Sequence, residues 1–361
     1  MSLKKIKADC INLLKNLISI PSFSRQEKET GDLIQRFFEK RNILVKRVGN
    51  NIIVRTKNWN ANKKTILLNS HHDTVKPSKG YTRDPFQPEV VGRKLYGLGS
   101  NDAGGSLVAL IATFLYFYEQ PIKYNLIFVA SAEEEISGSQ GIAAVRDLIQ
   151  PIDLGIIGEP TQMRMAIAEK GLMVIDGTAE GKSGHAAREE GINAIYIALK
   201  DIEWIRNYTF PKESPVLGKT KMTVTQIQAG SQHNVVPDFC QFVIDIRSNE
   251  AYNNQEIFQF LQKNTTAQLK ARSFRLNSSK IDLEHPIVKK GISLGLDYYG
   301  SPTLSDQALL PFTTLKIGCG KSARSHTPDE FIFIDEIEKG IDIYIELLND
   351  LNLDSVGTET Y

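Results

Sequence analysis

The chain has only three cysteines, Cys10, Cys240 and Cys319, and none stands in a C-x-x-C pair. That excludes a disulfide framework and a thiolate zinc cluster, and it fits a reducing cytoplasm. Neither sign of charge is in excess: 43 lysines and arginines face 42 aspartates and glutamates. With no long basic run either, the electrostatic footprint of a nucleic-acid binder is missing. No uninterrupted apolar stretch is long enough to span a bilayer. The N-terminus, MSLKKIKADCINLLKNLISIPS, does not read as a signal peptide. Ile6, Cys10, Leu13, Leu14 and Leu17 recur at helical spacing, interrupted by Lys7, Asp9 and Lys15.

What is present suits two domains, or one large domain with an insertion. Short β-rich apolar runs (NIIVRT, KTILLNS, NLIFVA, LGIIG) alternate with helical patterns such as GGSLVALIATFLYFYEQ and SQGIAAVRDLI. Continuous apolar strands between helices predict an α/β sheet covered by helices, with ligands at the carboxyl ends of its strands. Ser24 and Glu27 stand in capping-box spacing ahead of a helix carrying Leu33, Ile34, Phe37 and Phe38. The middle of the chain changes character. LMVIDGTAEG, KMTVTQIQAG, DFCQFVIDIR and ARSFRLN read as strands, with helices at GINAIYIALKDIEWI and NQEIFQFLQKNTT. This β-α-β-β-α-β order predicts a ferredoxin-like insertion. The chain then returns to α/β character through TTLKIGCG and a final helix, DEIEKGIDIYIELLNDL.

The stretch SAEEEISG follows the apolar run NLIFVA directly, so Glu133, Glu134 and Glu135 crowd where a buried strand ends. Packed like charges are costly unless a cation neutralises them. The bland reading is a solvated helix start. Candidate metal ligands recur at other strand ends. HHDTV offers His71 and Asp73 on one strand face, with His72 pointing the other way. LYGLGSNDAGG places Asp102 in a glycine-rich turn, GEPT offers Glu159, and SHTPDE offers His326. Histidines with several carboxylates suit zinc or a similar divalent ion, and one carboxylate can bridge two ions.

In this order HHDTV, LYGLGSNDAGG, SAEEE, GEPT, GKSGHAAREEGINAI, QHNVVPDFCQFVIDIR and SHTPDE resemble the zinc amidohydrolase and exopeptidase family. That family contains acetylornithine deacetylase, succinyl-diaminopimelate desuccinylase, aminoacylase and glutamate carboxypeptidase. The resemblance spans nearly the whole chain. It implies a catalytic α/β domain with a mixed, mainly parallel sheet, formed by residues 1–167 and 278–361. It also implies an inserted α+β ferredoxin-like lid at 168–277 that serves homodimerisation. Two divalent ions are implied, zinc or alternatively cobalt. His71 and Glu159 would hold one, Glu135 and His326 the other, and Asp102 would bridge them. Asp73 would orient His71, and Glu134 would be the general base. His185 would be an oxyanion donor, supplied in trans. Asn234 and Arg247 would read a substrate carboxylate, with a structural ion pair as the bland alternative for Arg247. Lys170 and Ser305 are further substrate-contact candidates, whereas Glu133 has no role and His233 and His285 read as ordinary surface or loop histidines. The peptide after Asp102 is expected to be cis. One departure is Gly104, where relatives often carry lysine.

The implied reaction is hydrolysis of an N-acyl amino acid. The late segment SPTLSDQALLPFTTLKIGCGKSARSHTPDE most resembles the acetylornithine deacetylase branch of arginine biosynthesis, including relatives acting on N-acetylcitrulline or N-succinylornithine. Succinyl-diaminopimelate desuccinylase and di- or tripeptidase are the alternatives within the family. An inactive relative that binds metal or a partner protein is the alternative outside it; such a chain should have lost the base or a ligand.

Overall fold

The computed structural model describes residues 1–353 apart from Glu189. Contacts divide the chain into two units: residues 1–167, 280–299 and 305–361 form one, and residues 168–279 and 300–304 the other.

The first unit is built on a mixed sheet. Seven of its nine strands are β1 (Val45–Val48), β2 (Asn51–Arg55), β3 (Thr65–His71), β4 (Asn125–Ser131), β5 (Leu154–Ile157), β6 (Met165–Glu169) and β7 (Thr314–Lys316), in the spatial order β1-β2-β4-β3-β5-β7-β6, and two short strands pair beyond them, next to β6. The four central strands, β4, β3, β5 and β7, are mutually parallel, and antiparallel strands flank them. Every residue of β3 and β4 is buried, which is why both read as unbroken apolar runs rather than alternating ones. Helix α1 (Leu3–Ile18) buries the predicted stripe of Ile6, Cys10, Leu13, Leu14 and Leu17. Helix α2 (Lys28–Glu39) precedes β1. Helix α3 (Gly105–Phe117) lies on β3 and β4 and packs against α1 and the last helix, so nearly all its side chains are buried. Helices α4 (Ile142–Ile149) and α5 (Ile334–Leu348) complete the set used below. Among the described residues no helix is long and apolar enough to cross a membrane.

Because the central strands are parallel, their carboxyl ends share one edge. In register, His71 at the end of β3 sits beside Ser131 at the end of β4, and Asn69 beside Ile157 at the end of β5. The chain segments that leave this edge carry the acids.

The second unit has strands Met173–Glu180, Lys221–Ala229, Phe239–Arg247 and Gln268–Ala271, with helices Ala194–Asn207 and Asn254–Asn264. The sheet order, with Lys221–Ala229 at one edge, is the antiparallel ferredoxin-like one. Ile175, Cys240, Phe242, Ile244 and Ile246 form its core with Ala198 and Ile205 of the first helix and Ile257 and Leu261 of the second. The last strand is Gln268–Ala271 and not the predicted ARSFRLN. Leu269 and Ala271 take the inward positions, and Arg272 turns to pair with Asp176.

The capping box predicted at Ser24 and Glu27 does not form. Glu27 precedes α2 without a side-chain cap, and both side chains are used elsewhere. Ser24 Oγ donates to Asp73 Oδ2 at 2.8 Å, and Glu27 accepts from the backbone of Arg25 and Glu133.

Candidate metal centre

Six of the residues singled out in the sequence meet at the edge where the parallel strands end. His71 Nε2 lies 3.4 Å from Asp102 Oδ1, and 3.8 Å from both Glu134 Oε2 and Glu159 Oε1. His326 Nε2 lies 3.1 Å from Glu135 Oε2 and 3.6 Å from Asp102 Oδ2. Asp102 thus stands between two clusters, one around each histidine. His71, Glu134 and Glu159, and likewise His71, Asp102 and Glu135, present ligand atoms within 4.8 Å of one another.

The supports of these groups are local. His71 Nδ1 stands 3.0 Å from the carbonyl oxygen of Asp73, which makes Nδ1 the protonated nitrogen and leaves the Nε2 lone pair facing the acids. Asp73 does more than orient this ring. Its Oδ1 accepts from Glu134 N at 3.0 Å, and its Oδ2 from Glu135 N at 3.2 Å, so it fixes the backbone of the acid turn. Glu133 has a left-handed backbone (φ 54°) and turns its side chain away from the centre. Its Oε2 accepts from Gln140 N, and Arg25 Nε lies 4.0 Å from its Oε1. The three neighbouring glutamates therefore face different ways. His72 points away from His71, with Nδ1 2.9 Å from Thr30 Oγ1 and Nε2 3.0 Å from the Asn50 carbonyl.

Asp102 sits in the turn Ser100–Gly104, and the Asp102–Ala103 peptide is cis. Gly104, the departure noted in the sequence, has no room for a side chain: a Cβ there would lie 2.3 Å from the Gly99 carbonyl oxygen and 2.6 Å from Leu14 Cδ1. The turn is gripped by Glu330, a carboxylate only 2% exposed, which accepts from the backbone N–H groups of Gly99, Asn101 and Asp102 at 2.8–2.9 Å.

The donor set fits divalent cations. His71 Nε2 is buried and makes no hydrogen bond, although carboxylates surround it. Burial pulls His71 down, but Glu134, Asp102, Asp73 and Glu159 more than reverse this and hold its pKa well above the ordinary value. Burial pushes Glu134 well up and Glu159 up to about 8. His71 opposes both, while neighbouring acids, including Asp306, reinforce the rise. The Glu135 carboxylate raises His326 to about 9. A cluster that holds protons so tightly has excess negative charge, which cations would neutralise in the protons' place.

Ser305 is buried and caps the turn Asp306–Leu309, accepting from Gln307 N. In the second unit, His185 and Asn234 are exposed. Arg247 forms a bidentate pair with Asp245, at 2.9 and 3.0 Å, so its fork is engaged in an ion pair. Lys170 Nζ donates to the Lys219 carbonyl. His233 is exposed, but His285 is not an ordinary surface histidine: it is buried and caps the helix Pro286–Ser293. Sequence reasoning missed Glu27, Glu330, Asp306 and the buried Lys316. Lys316 is 2% exposed at the end of β7, and its charge acts to lower the pKa of Glu159. Glu330 and Asp306 lay inside quoted motifs, SHTPDE and LSDQ. Nothing in the sequence marked Glu27 or Lys316 as part of this edge.

The description of peptidase family M20/M25/M40 matches residues 67–350. The chain is 25% identical to the acetylornithine deacetylase of Buchnera aphidicola subsp. Acyrthosiphon pisum (strain Tuc7), over 94% of this chain and 97% of that protein. It is 28% identical to a [LysW]-lysine/[LysW]-ornithine hydrolase of Sulfurisphaera tokodaii, over 98% and 97%. Its fold is similar to that of Bacillus subtilis YXEP, described as a dinuclear metal-binding peptidase of the M20 family. There the TM-score is 0.72 at 18% identity, covering 96% of this chain and 98% of that one.

Proposed function

The chain belongs to peptidase family M20/M25/M40 and is a metal-dependent hydrolase, and from that premise we propose that it cleaves the amide bond of an N-acyl amino acid. The best-supported substrate is N-acetylornithine, or a close variant such as N-acetylcitrulline or N-succinylornithine, in arginine biosynthesis. The similarity to acetylornithine deacetylase along nearly the full length of both chains supports this. The observation that carries the reaction class is the convergence of His71, Asp102, Glu134, Glu135, Glu159 and His326 on one edge.

His71 and Glu159 would hold one cation, His326 and Glu135 the other, with Asp102 between them. Two bound zinc ions, or cobalt in their place, supply Lewis acidity toward the amide carbonyl and the attacking water. Glu134 stands on the same turn as Glu135 with its carboxylate turned toward His71. It takes a proton from the water and returns it to the leaving amine. Asp73 keeps that carboxylate in place by binding the Glu134 and Glu135 amides, so little motion accompanies the transfer. His185 is the oxyanion donor. Its Nδ1 accepts from Ala187 N, so the neutral ring carries its proton on Nε2, available for donation. Asn234 and Arg247 address the substrate carboxylate, which requires Arg247 to release Asp245.

Residues 168–277 serve as lid and dimerisation domain, with His185 acting across a two-fold dimer. Two features of the second unit support this reading. Strand Lys221–Ala229 is an unpaired sheet edge among the described residues, and Ile192, Tyr196, Leu199 and Ile227 are each about half exposed or more.

The test is a panel of N-acetyl and N-succinyl derivatives of ornithine, citrulline and diaminopimelate, with di- and tripeptides, assayed with added zinc or cobalt. Highest kcat/KM on an N-acyl ornithine or citrulline is expected. Preference for N-succinyl-diaminopimelate or for peptides would replace the substrate reading while leaving the reaction class intact.

A further inference from the structure

Asp306 is a carboxylate with no place in the reaction described so far. It is 2% exposed and begins the short turn Asp306–Leu309. A carboxylate is costly to bury unless hydrogen bonds compensate. Ser131 Oγ donates to its Oδ2 at 2.6 Å. Asn69, with its amide turned so that Nδ2 faces the carboxylate, donates to the same oxygen at 3.1 Å. Both donors belong to the strands that deliver the site. Asn69 lies two residues before His71, on the same strand face. Ser131 is the register partner of His71 and the last residue of β4, three residues before Glu134. One buried oxygen therefore ties together the ends of β3 and β4.

The backbone of the acid turn has other supports: Asn51 Oδ1 accepts from the Ala132 amide, Glu27 from that of Glu133, and Asp73 from those of Glu134 and Glu135, while the His72 N–H donates to the Ser131 carbonyl. All of these hold main-chain groups. Asp306 instead holds the Ser131 side chain.

We propose that Asp306 is a positioning residue for Glu134: by clamping Ser131 and Asn69 it fixes where β4 ends, and hence where the proton-transferring carboxylate is aimed. The proposal rests on the reading of Glu134 as the base. Misplacing a reacting group by about 1 Å costs on the order of 10²-fold in rate. The effect belongs in kcat, because the hydrogen bonds that Asp306, Ser131 and Asn69 share reach no side chain proposed to hold a cation.

The variants are Asp306→Asn, Ser131→Ala, Ser131→Thr, the double variant Ser131→Ala/Asp306→Asn, and Glu134→Ala in parallel. Each is assayed on N-acetyl-L-ornithine, or on the panel compound turned over fastest. Zinc equivalents are measured by mass spectrometry, and the visible spectrum of the cobalt-loaded protein is recorded. Asp306→Asn and Ser131→Ala should each lower kcat by about 10–10²-fold, with KM, zinc content and cobalt spectrum unchanged. Ser131→Thr keeps the hydroxyl and should retain most of the rate. The double variant should be no worse than the poorer single one, because both changes break one clamp. A role confined to stability would lower the melting temperature and leave kcat of the folded protein intact, which would overturn the proposal. So would additive losses, or loss of zinc in step with kcat. If Asp306→Asn does not fold, Ser131→Ala decides by the same criteria. If Glu134→Ala retains turnover, the base reading falls and this proposal with it. If Glu134→Ala is inactive while Asp306→Asn and Ser131→Ala have wild-type kcat, only the Asp306 proposal falls.

Discussion

Glu330 offers the sharpest quantitative test of how the centre is held. Its carboxylate accepts three backbone N–H groups, from Gly99 on Oε2 and from Asn101 and Asp102 on Oε1. Glu330→Ala leaves all three without that acceptor, two of them in fully buried surroundings. An orphaned buried donor costs about 1–3 kcal/mol, so the two fully buried ones alone should cost about 2–6 kcal/mol, a large part of a total of about 5–15. Alanine also leaves a void, which makes Glu330→Gln the cleaner perturbation. Its amide oxygen can keep the Asn101 and Asp102 bonds, while its NH2 faces the Gly99 N–H, donor against donor. One bond is lost, at about 1–3 kcal/mol. Both variants should be unfolded in urea at about pH 9, above the raised Glu330 value of about 8 so that its carboxylate is ionised, and with chelator present so that cation binding does not contribute to the measured stability. The rank order wild type, Gln, Ala is expected, with cation affinity falling in the same order as the Asp102 turn loosens. If Gln is as damaging as Ala, or if both lie within about 0.5 kcal/mol of wild type, the three-bond grip does not hold Asp102 as argued.

Glu134→Ala should keep both cations and lose most turnover; near-normal kcat would refute its assignment as the base. Chelation should abolish activity, and zinc or cobalt should restore it. Reloading should release protons, seen as heats that vary with buffer ionisation enthalpy, because His71, Glu134 and Glu159 carry raised pKa values. With the cations chelated, groups whose folded pKa is raised contribute stability at low pH and lose it as pH rises through the folded value. For Glu159, Glu330 and His326 the ordinary values are 4.5, 4.5 and 6.5 and the folded values about 8, 8 and 9, so the chelated protein should weaken from about pH 4.5 to about 9 in a thermal melt. A flat or rising profile would contradict the crowded-acid picture. His185→Ala should cut kcat by about 10²–10³-fold with cation content intact. Mixing inactive His185→Ala with inactive Glu134→Ala subunits should restore partial activity; no recovery after demonstrated subunit exchange would place His185 in cis or outside the reaction.

His71, Glu134, Glu135 and Glu159 were legible because they stand at or just past apolar runs, and in a parallel sheet such ends fall on one edge, whereas Asp102 and His326 come from turns outside those strands. Continuous apolar strands between helices predicted the α/β sheet and the β-α-β-β-α-β order the ferredoxin-like middle, while the mixed, mainly parallel form came with the family resemblance. What stayed hidden are partners distant in sequence. Ser24 and Glu27 have capping-box spacing, yet bonding Asp73 and the Glu133 amide takes precedence over capping a helix start that water can satisfy. Arg247 has the fork a substrate carboxylate needs, but Asp245 lies two residues away on the same strand face and occupies it. Ser305 is a lesser substrate-contact candidate in the sequence, whereas the buried carboxylate beside it, Asp306, is the group that meets β4. Local spacing cannot reveal that Glu330 reaches back to the Gly99–Asp102 turn.

The grip of Glu330 and the pairing of His326 with Glu135 also set a timetable. On the ribosome, His71, Asp102, Glu134, Glu135 and Glu159 emerge well before either late residue. Until then the Asp102 turn lacks its acceptor and one cluster lacks its nitrogen donor. Whatever preference among cations the His326 nitrogen would lend the second cluster is therefore set only once residue 326 has joined the fold, after every other proposed ligand.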